Sequence, residues 1–117
     1  MSKKNYDLEE RTTEFAKRVI RLCKSVPRNP VNDRITGQLV GCSGSIGANY
    51  REANDALGKN DFSQKIKISR REAKETIHWL ELLIEANTHI KEEAKILIDE
   101  AVELKNILSS ILKKVSK

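Results

Sequence analysis

The sequence predicts an all-α protein, an antiparallel up-down four-helix bundle. Three observations carry this. Apolar residues recur at steps of three and four in four successive segments, which is the one-face signature of a helix. Only 4% of the residues are aromatic, and there are 2 Pro and 5 Gly against 33% charged residues, so the β-branched and aromatic runs that strands need are missing. The breaks between segments are short, which forces consecutive helices to run antiparallel. At 117 residues the chain suffices for one core, so residues 1–117 are read as a single domain.

The helices are expected over about 8–26, 31–56, 61–87 and 92–115. In the first, Leu8, Thr12, Phe15, Val19, Leu22 and Val26 share a face, and Pro27 and Pro30 end it. Asn29 can cap the second helix, with Pro30 in its first turn, where a missing N–H costs nothing. Its apolar face is Ile35, Leu39, Cys42, Ile46, Asn49 and Ala53, and Gly58-Lys59-Asn60 breaks it. Asn60 or Asp61 is expected to cap the third helix, whose face is Phe62, Ile66, Ser69, Ala73, Ile77, Leu80 and Ile84. After a turn at Thr88-His89, the fourth helix aligns Ala94, Leu97, Ala101, Leu104, Leu108, Ile111 and Val115. Residues 1–6 and the last few lysines are expected to fray.

Helix two carries a second stripe. Gly37, Gly41, Gly44 and Ala48 lie about 150° around the helix from its apolar face, with Ser43 and Gly47 beside them. Each internal glycine costs about 1 kcal/mol relative to alanine. That penalty is offset if another backbone approaches closely. A four-helix bundle has no central helix to supply that contact, so a neighbouring subunit is the expected partner. Between the two stripes runs a polar line, Gln38, Ser45, Asn49 and Glu52, expected to be partly buried and hydrogen-bonded.

Basic residues also align. Lys17, Arg21, Lys24 and Arg28 step by four, three and four opposite the apolar face of helix one. Helix three adds Lys67, Arg71, Lys74 and His78. The chain has a net charge of +5, and a cyclic assembly would repeat each stripe around its axis. Aromatic partners are few, so binding through these stripes would be to phosphates and only weakly sequence-specific. Trp79 stands at the edge of an apolar face, as core packing or as an interface anchor.

Other chemistries lack their residues. Glu75-x-x-His78 is a lone metal-type pair where di-metal bundles use two, and Cys23 and Cys42 have no Cys/His cluster, so no metal or other cofactor is expected. No nucleophile–base pair is visible, and no enzyme is expected. Two cysteines do not make a disulfide scaffold, no stretch reaches a membrane span, and Met1-Ser2-Lys3-Lys4-Asn5 is followed by no apolar signal core. The expected location is the cytoplasm, with no membrane partner.

The stretch Gln38-Leu39-Val40-Gly41-Cys42-Ser43-Gly44-Ser45-Ile46-Gly47-Ala48-Asn49-Tyr50-Arg51-Glu52-Ala53 resembles the signature of the four-helix bundle proteins encoded within intervening sequences of 23S ribosomal RNA genes. Asp61-Phe62, Lys67-Ile68-Ser69-Arg70-Arg71-Glu72-Ala73-Lys74-Glu75-Thr76 and Trp79-Leu80-Glu81-Leu82-Leu83 are similar to that family's third helix, and Phe15 and Arg18 fit its first. The resemblance spans about residues 8–112. It implies a homopentameric ring of bundles. It also implies kinship with the accessory variability protein of diversity-generating retroelements, a basic pentameric barrel that binds a reverse transcriptase and nucleic acid. The family carries no agreed catalytic residues. Its signature positions here are Gln38, Ser45, Asn49, Glu52, Glu72 and Glu75, assigned to a structural polar network.

Two functions from different classes follow. The first is a self-assembling, non-enzymatic bundle that binds RNA or DNA through basic helix faces. The second is an adaptor ring that docks a protein such as a reverse transcriptase.

Overall fold

The computed structural model describes residues 7–116, which form four α-helices and one 3-10 turn, with no strand among them. The expectations for residues 1–6 and for Lys117 lie outside the described residues.

Helix α1 (Leu8–Lys24) begins at Asp7, whose carboxylate accepts the Glu10 N–H at 3.1 Å. Its first turn is acidic and its last turn basic, matching the helix dipole at both ends. It stops two residues earlier than the periodicity suggests, because the Ser25 hydroxyl and N–H both turn back onto the Leu22 carbonyl ahead of Pro27. Helix α2 (Pro30–Asn54) is capped by Asn29, whose side chain accepts the Asn32 N–H at 2.8 Å, with Pro30 at the first helical position. Helix α3 (Lys59–Ala86) starts at Gly58 without a side-chain cap; neither Asn60 nor Asp61 caps it, and Asp61 instead sits in its positive first turn. A 3-10 turn, Thr88–Ile90, leads directly into α4 (Lys91–Val115).

Each helix packs on its sequence neighbours, most extensively α2 on α3 and then α3 on α4, and α1 closes the ring thinly onto α4. The molecule measures 45 × 31 × 19 Å, its long axis matching the ~42 Å length of the 28-residue α3. Phe15, Val19, Leu39, Ile46, Ile66, Leu80, Leu83, Leu97, Leu104 and Leu108 fill the centre. The buried face of α3 is rotated slightly from expectation: Thr76 and Leu83 are enclosed, while Ile77 and Ile84 are half-buried.

The thin α1–α4 seam is tied by Arg11. Its guanidinium donates to both carboxylate oxygens of Glu100 (2.7 and 2.9 Å) and to Glu103 (2.6 Å). This fork fixes orientation. Because it stands at the surface, it is expected to stabilise by no more than about 1 kcal/mol.

Thr12 and Ser69 are buried on the faces where the sequence places them, but the other enclosed polar groups lie outside the predicted polar line. Asn32 and Asn87 exchange amide hydrogen bonds (3.0 and 2.8 Å), and their remaining N–H groups go to the carbonyls of Pro27 and Leu83. Ser69 donates to the Ile46 carbonyl across the α2–α3 seam at 2.7 Å, and Thr76 bonds the Glu72 carbonyl and the Cys42 sulfur. The expected network of Gln38, Ser45, Asn49, Glu52, Glu72 and Glu75 is not one network. Asn49 donates to the Ser45 carbonyl of its own helix, Glu52 pairs with Lys65 at the surface, and Gln38 and Glu75 are exposed. Asn49→Ala therefore orphans no partner from another helix. We expect it to leave stability within about 1 kcal/mol of wild type in a thermal melt.

The glycine stripe also needs correction within the chain. A Cβ placed at Gly37, Gly41 or Gly44 meets nothing within 4 Å among the described residues, so no helix of the same chain packs there. The close approach is at Gly47, where a Cβ would stand 2.7 Å from the Thr12 hydroxyl oxygen and 3.1 Å from its Cβ. Gly47 is where α1 presses on α2.

Candidate nucleic-acid interface

Helix α3 turns Lys67, Arg71 and Lys74 outward, and Arg70 joins them at the rim of a groove of about 750 Å³. Arg70 was not among the basic residues singled out from the sequence, although its steps of three from Lys67 and four to Lys74 put it alongside them. Exposed Gln38 of α2 forms part of the opposite wall. His78 and half-buried Trp79 close one end, edge to face, with ring centroids 5.2 Å apart and planes at 71°. Trp79 also packs against the core, which holds its ring in place.

Among the described residues, no carboxylate lies within 4.0 Å of the charged nitrogens of Lys67, Arg70, Arg71 or Lys74. The four cations occupy about 10 Å of helix and neighbour one another at steps of three and four, each such like-charge pair costing the helix about 0.2–0.5 kcal/mol. Folding does not require this arrangement, and a bound polyanion would relieve it. Burial pushes the Glu72 carboxyl above its usual range, Glu75 adds to the rise and Arg71 opposes it. Glu75 sets one negative charge on the groove wall.

The stripe on helix one is weaker than its spacing suggested. Arg28 lies beyond the end of α1, because the chain leaves the helix before Pro27, and its guanidinium is held by Asp33 at 2.7 and 3.2 Å. Lys17 stands 3.5 Å from Glu14. Arg21 opens on a cleft it shares with Glu92 and Glu93, which dilute its field. Lys24 remains exposed in the last turn. Lys67, Arg70, Arg71 and Lys74 are therefore the larger basic cluster, with Glu75 the one carboxylate lining its groove.

Other candidates resolve into structural roles. Burial pushes the Cys23 thiol up to about 11, with Cys42 adding to the rise, and burial also raises the Cys42 thiol, so neither is a ready nucleophile. Among the described residues no group of three His, Cys, Asp or Glu side chains could hold a metal ion. No helix there is long and apolar enough to cross a membrane.

Comparison with known proteins agrees with the bundle. No curated protein matches the chain. A solved structure of a protein of unknown function from the S23 ribosomal protein family of Bacteroides thetaiotaomicron is 34% identical, with a TM-score of 0.79 over 92% of this chain and 99% of that one. The model of the 23S rRNA-intervening sequence protein family matches residues 4–110. With four helices in up-down order and nearly its whole length matched, the chain belongs to the 23S rRNA-intervening sequence protein family.

Proposed function

We propose that this protein is a non-enzymatic, cytoplasmic bundle that assembles into a homopentamer and binds RNA or DNA through its basic helix faces, α3 foremost. The observation that carries the reading is the run of Lys67, Arg70, Arg71 and Lys74 without carboxylate partners among the described residues. Phosphates supply what that run lacks, and their contacts are indifferent to sequence. Assembly is supported by the open stripe of Gly37, Gly41 and Gly44, a helix penalty of about 3 kcal/mol that nothing among the described residues offsets. A second copy on this face would offset it.

The test is fluorescence anisotropy with random single-stranded RNA and duplex DNA at 50 and 200 mM salt, concentrations chosen to span about a tenfold or greater effect. Four phosphate contacts on a single strand predict about a 50-fold loss of affinity across that range. R71E/K74E should weaken all sequences alike and flatten the salt dependence by about half, whereas K17E/R21E should do less. Absence of binding at low salt would discard this reading and favour the adaptor ring. For assembly, light scattering should give a mass about five times the 13.3 kDa chain, and Gly41→Leu should lower it toward one chain. A wild-type mass of a single chain at micromolar concentration would refute the pentamer.

A further inference from the structure

We infer that the α3 groove is a seat for single-stranded nucleic acid, with phosphates on its basic rim and one unpaired base against His78 and Trp79; this rests on the nucleic-acid reading above. The rim and the aromatic pair belong to one cavity, so a single ligand meets both. Charge is ordered along α3. Lys67, Arg70, Arg71 and Lys74 come first, the Glu75 carboxylate interrupts them, and the aromatic end follows. A ligand with phosphates throughout gains nothing past Lys74, where Glu75 repels it. A ligand whose backbone leads to a flat, uncharged, hydrogen-bonding base fits the whole length.

A duplex keeps its bases stacked and paired, so its phosphates can meet the rim but its bases cannot reach the ring pair. A single strand exposes both the backbone and the base faces, and basic grooves with one or two aromatic platforms bind such strands with little sequence preference. The volume, about 750 Å³, is within the range of pockets that bury a small ligand, enough for a nucleotide but not for a helix. The core packing of Trp79 means that its ring need not be ordered on binding.

Trp79 is the only tryptophan in the chain, so its emission reports on this seat alone. The experiment titrates the full-length assembled protein at low salt with about ten-nucleotide DNA in three forms: single-stranded, duplex, and a single strand of abasic sugar-phosphates with the same charge per strand. The single strand is expected to bind about tenfold or more tighter than the abasic strand and to quench Trp79, which the abasic strand leaves unchanged. H78A should shrink the advantage of the base-bearing strand, and because His78 is exposed the variant is expected to fold. Equal affinity of the two single strands with unchanged Trp79 emission overturns the seat while leaving nucleic-acid binding intact. So does tighter binding of the duplex, or an H78A variant that keeps the full advantage. Failure of all three forms to bind overturns the seat, and the proposed function falls with it if random single-stranded RNA also fails to bind at low salt.

Discussion

Replacing Asn87 with leucine is expected to lower the melting temperature by about 6–12 °C, the equivalent of about 2–3 kcal/mol for a chain of this size. Asn87 closes α3, and Asn32 lies in the first turn of α2, so their reciprocal amide bonds lock the end of one helix to the start of another. Both side chains are almost fully enclosed, at 2% and 6% exposure. Removing one leaves the carboxamide oxygen of the other without its donor in an enclosed site, and that desolvation is uncompensated. Asn32→Leu should behave alike. The double variant should cost less than the sum of the two, since neither amide is left facing a missing partner, and calorimetry of the four proteins measures the coupling. Strict additivity would mean that the two amides act independently.

Gly47→Val is expected to be the most damaging glycine substitution, at about 3 kcal/mol, while Gly44→Ala should stabilise an isolated chain by about 0.5–1 kcal/mol. The first added Cβ meets a β-branched side chain pinned by bonds from its hydroxyl to the carbonyls of Leu8 and Glu9 (2.8 and 3.1 Å), so α1 must move away. The second enters open space and removes only the entropy penalty of glycine. Thermal melts of both variants, with Gly47→Ala in a Thr12→Ala background as a control, decide it. Thr12 bonds only its own helix, so its truncation is cheap and should recover part of the loss. A Gly47→Val protein that melts with the wild type would remove the steric account of the α1–α2 contact.

The glycines show where sequence reasoning reaches its limit. Their spacing marked a face with unusual backbone requirements, but spacing cannot say which glycine faces a neighbour. Thr12 was legible as a core-face residue and Gly47 only as a flank of the stripe; that the two meet depends on the crossing of α1 over α2. The same holds for Asn32 and Asn87, separated by 55 residues and recognisable alone only as polar residues near helix ends. Ser69 meets the Ile46 carbonyl, and Thr76 the Cys42 sulfur, for the same reason.

The basic faces divide along the same line. Periodicity placed Lys67, Arg71 and Lys74 on one side of a helix, because 3.6 residues per turn makes such positions neighbours whatever the fold. Their neutralisation could not be read that way. Asp33 removes Arg28 from the helix-one stripe because the chain turns at Pro27, and Glu92 and Glu93 reach the surroundings of Arg21 from the far end of the sequence.

By itself, then, the sequence determined the four helices, their antiparallel order, most of the core and the presence of basic stripes. Each of these follows from spacing along one helix and from the shortness of the connections, both local quantities. The tertiary structure decided which charges stay unpaired, which polar groups are enclosed, which glycine touches another helix, and that Trp79 and His78 end a basic groove. Those depend on how far each helix slides and rotates against the next. That register is set by the fit of all four faces at once, and no single segment encodes it.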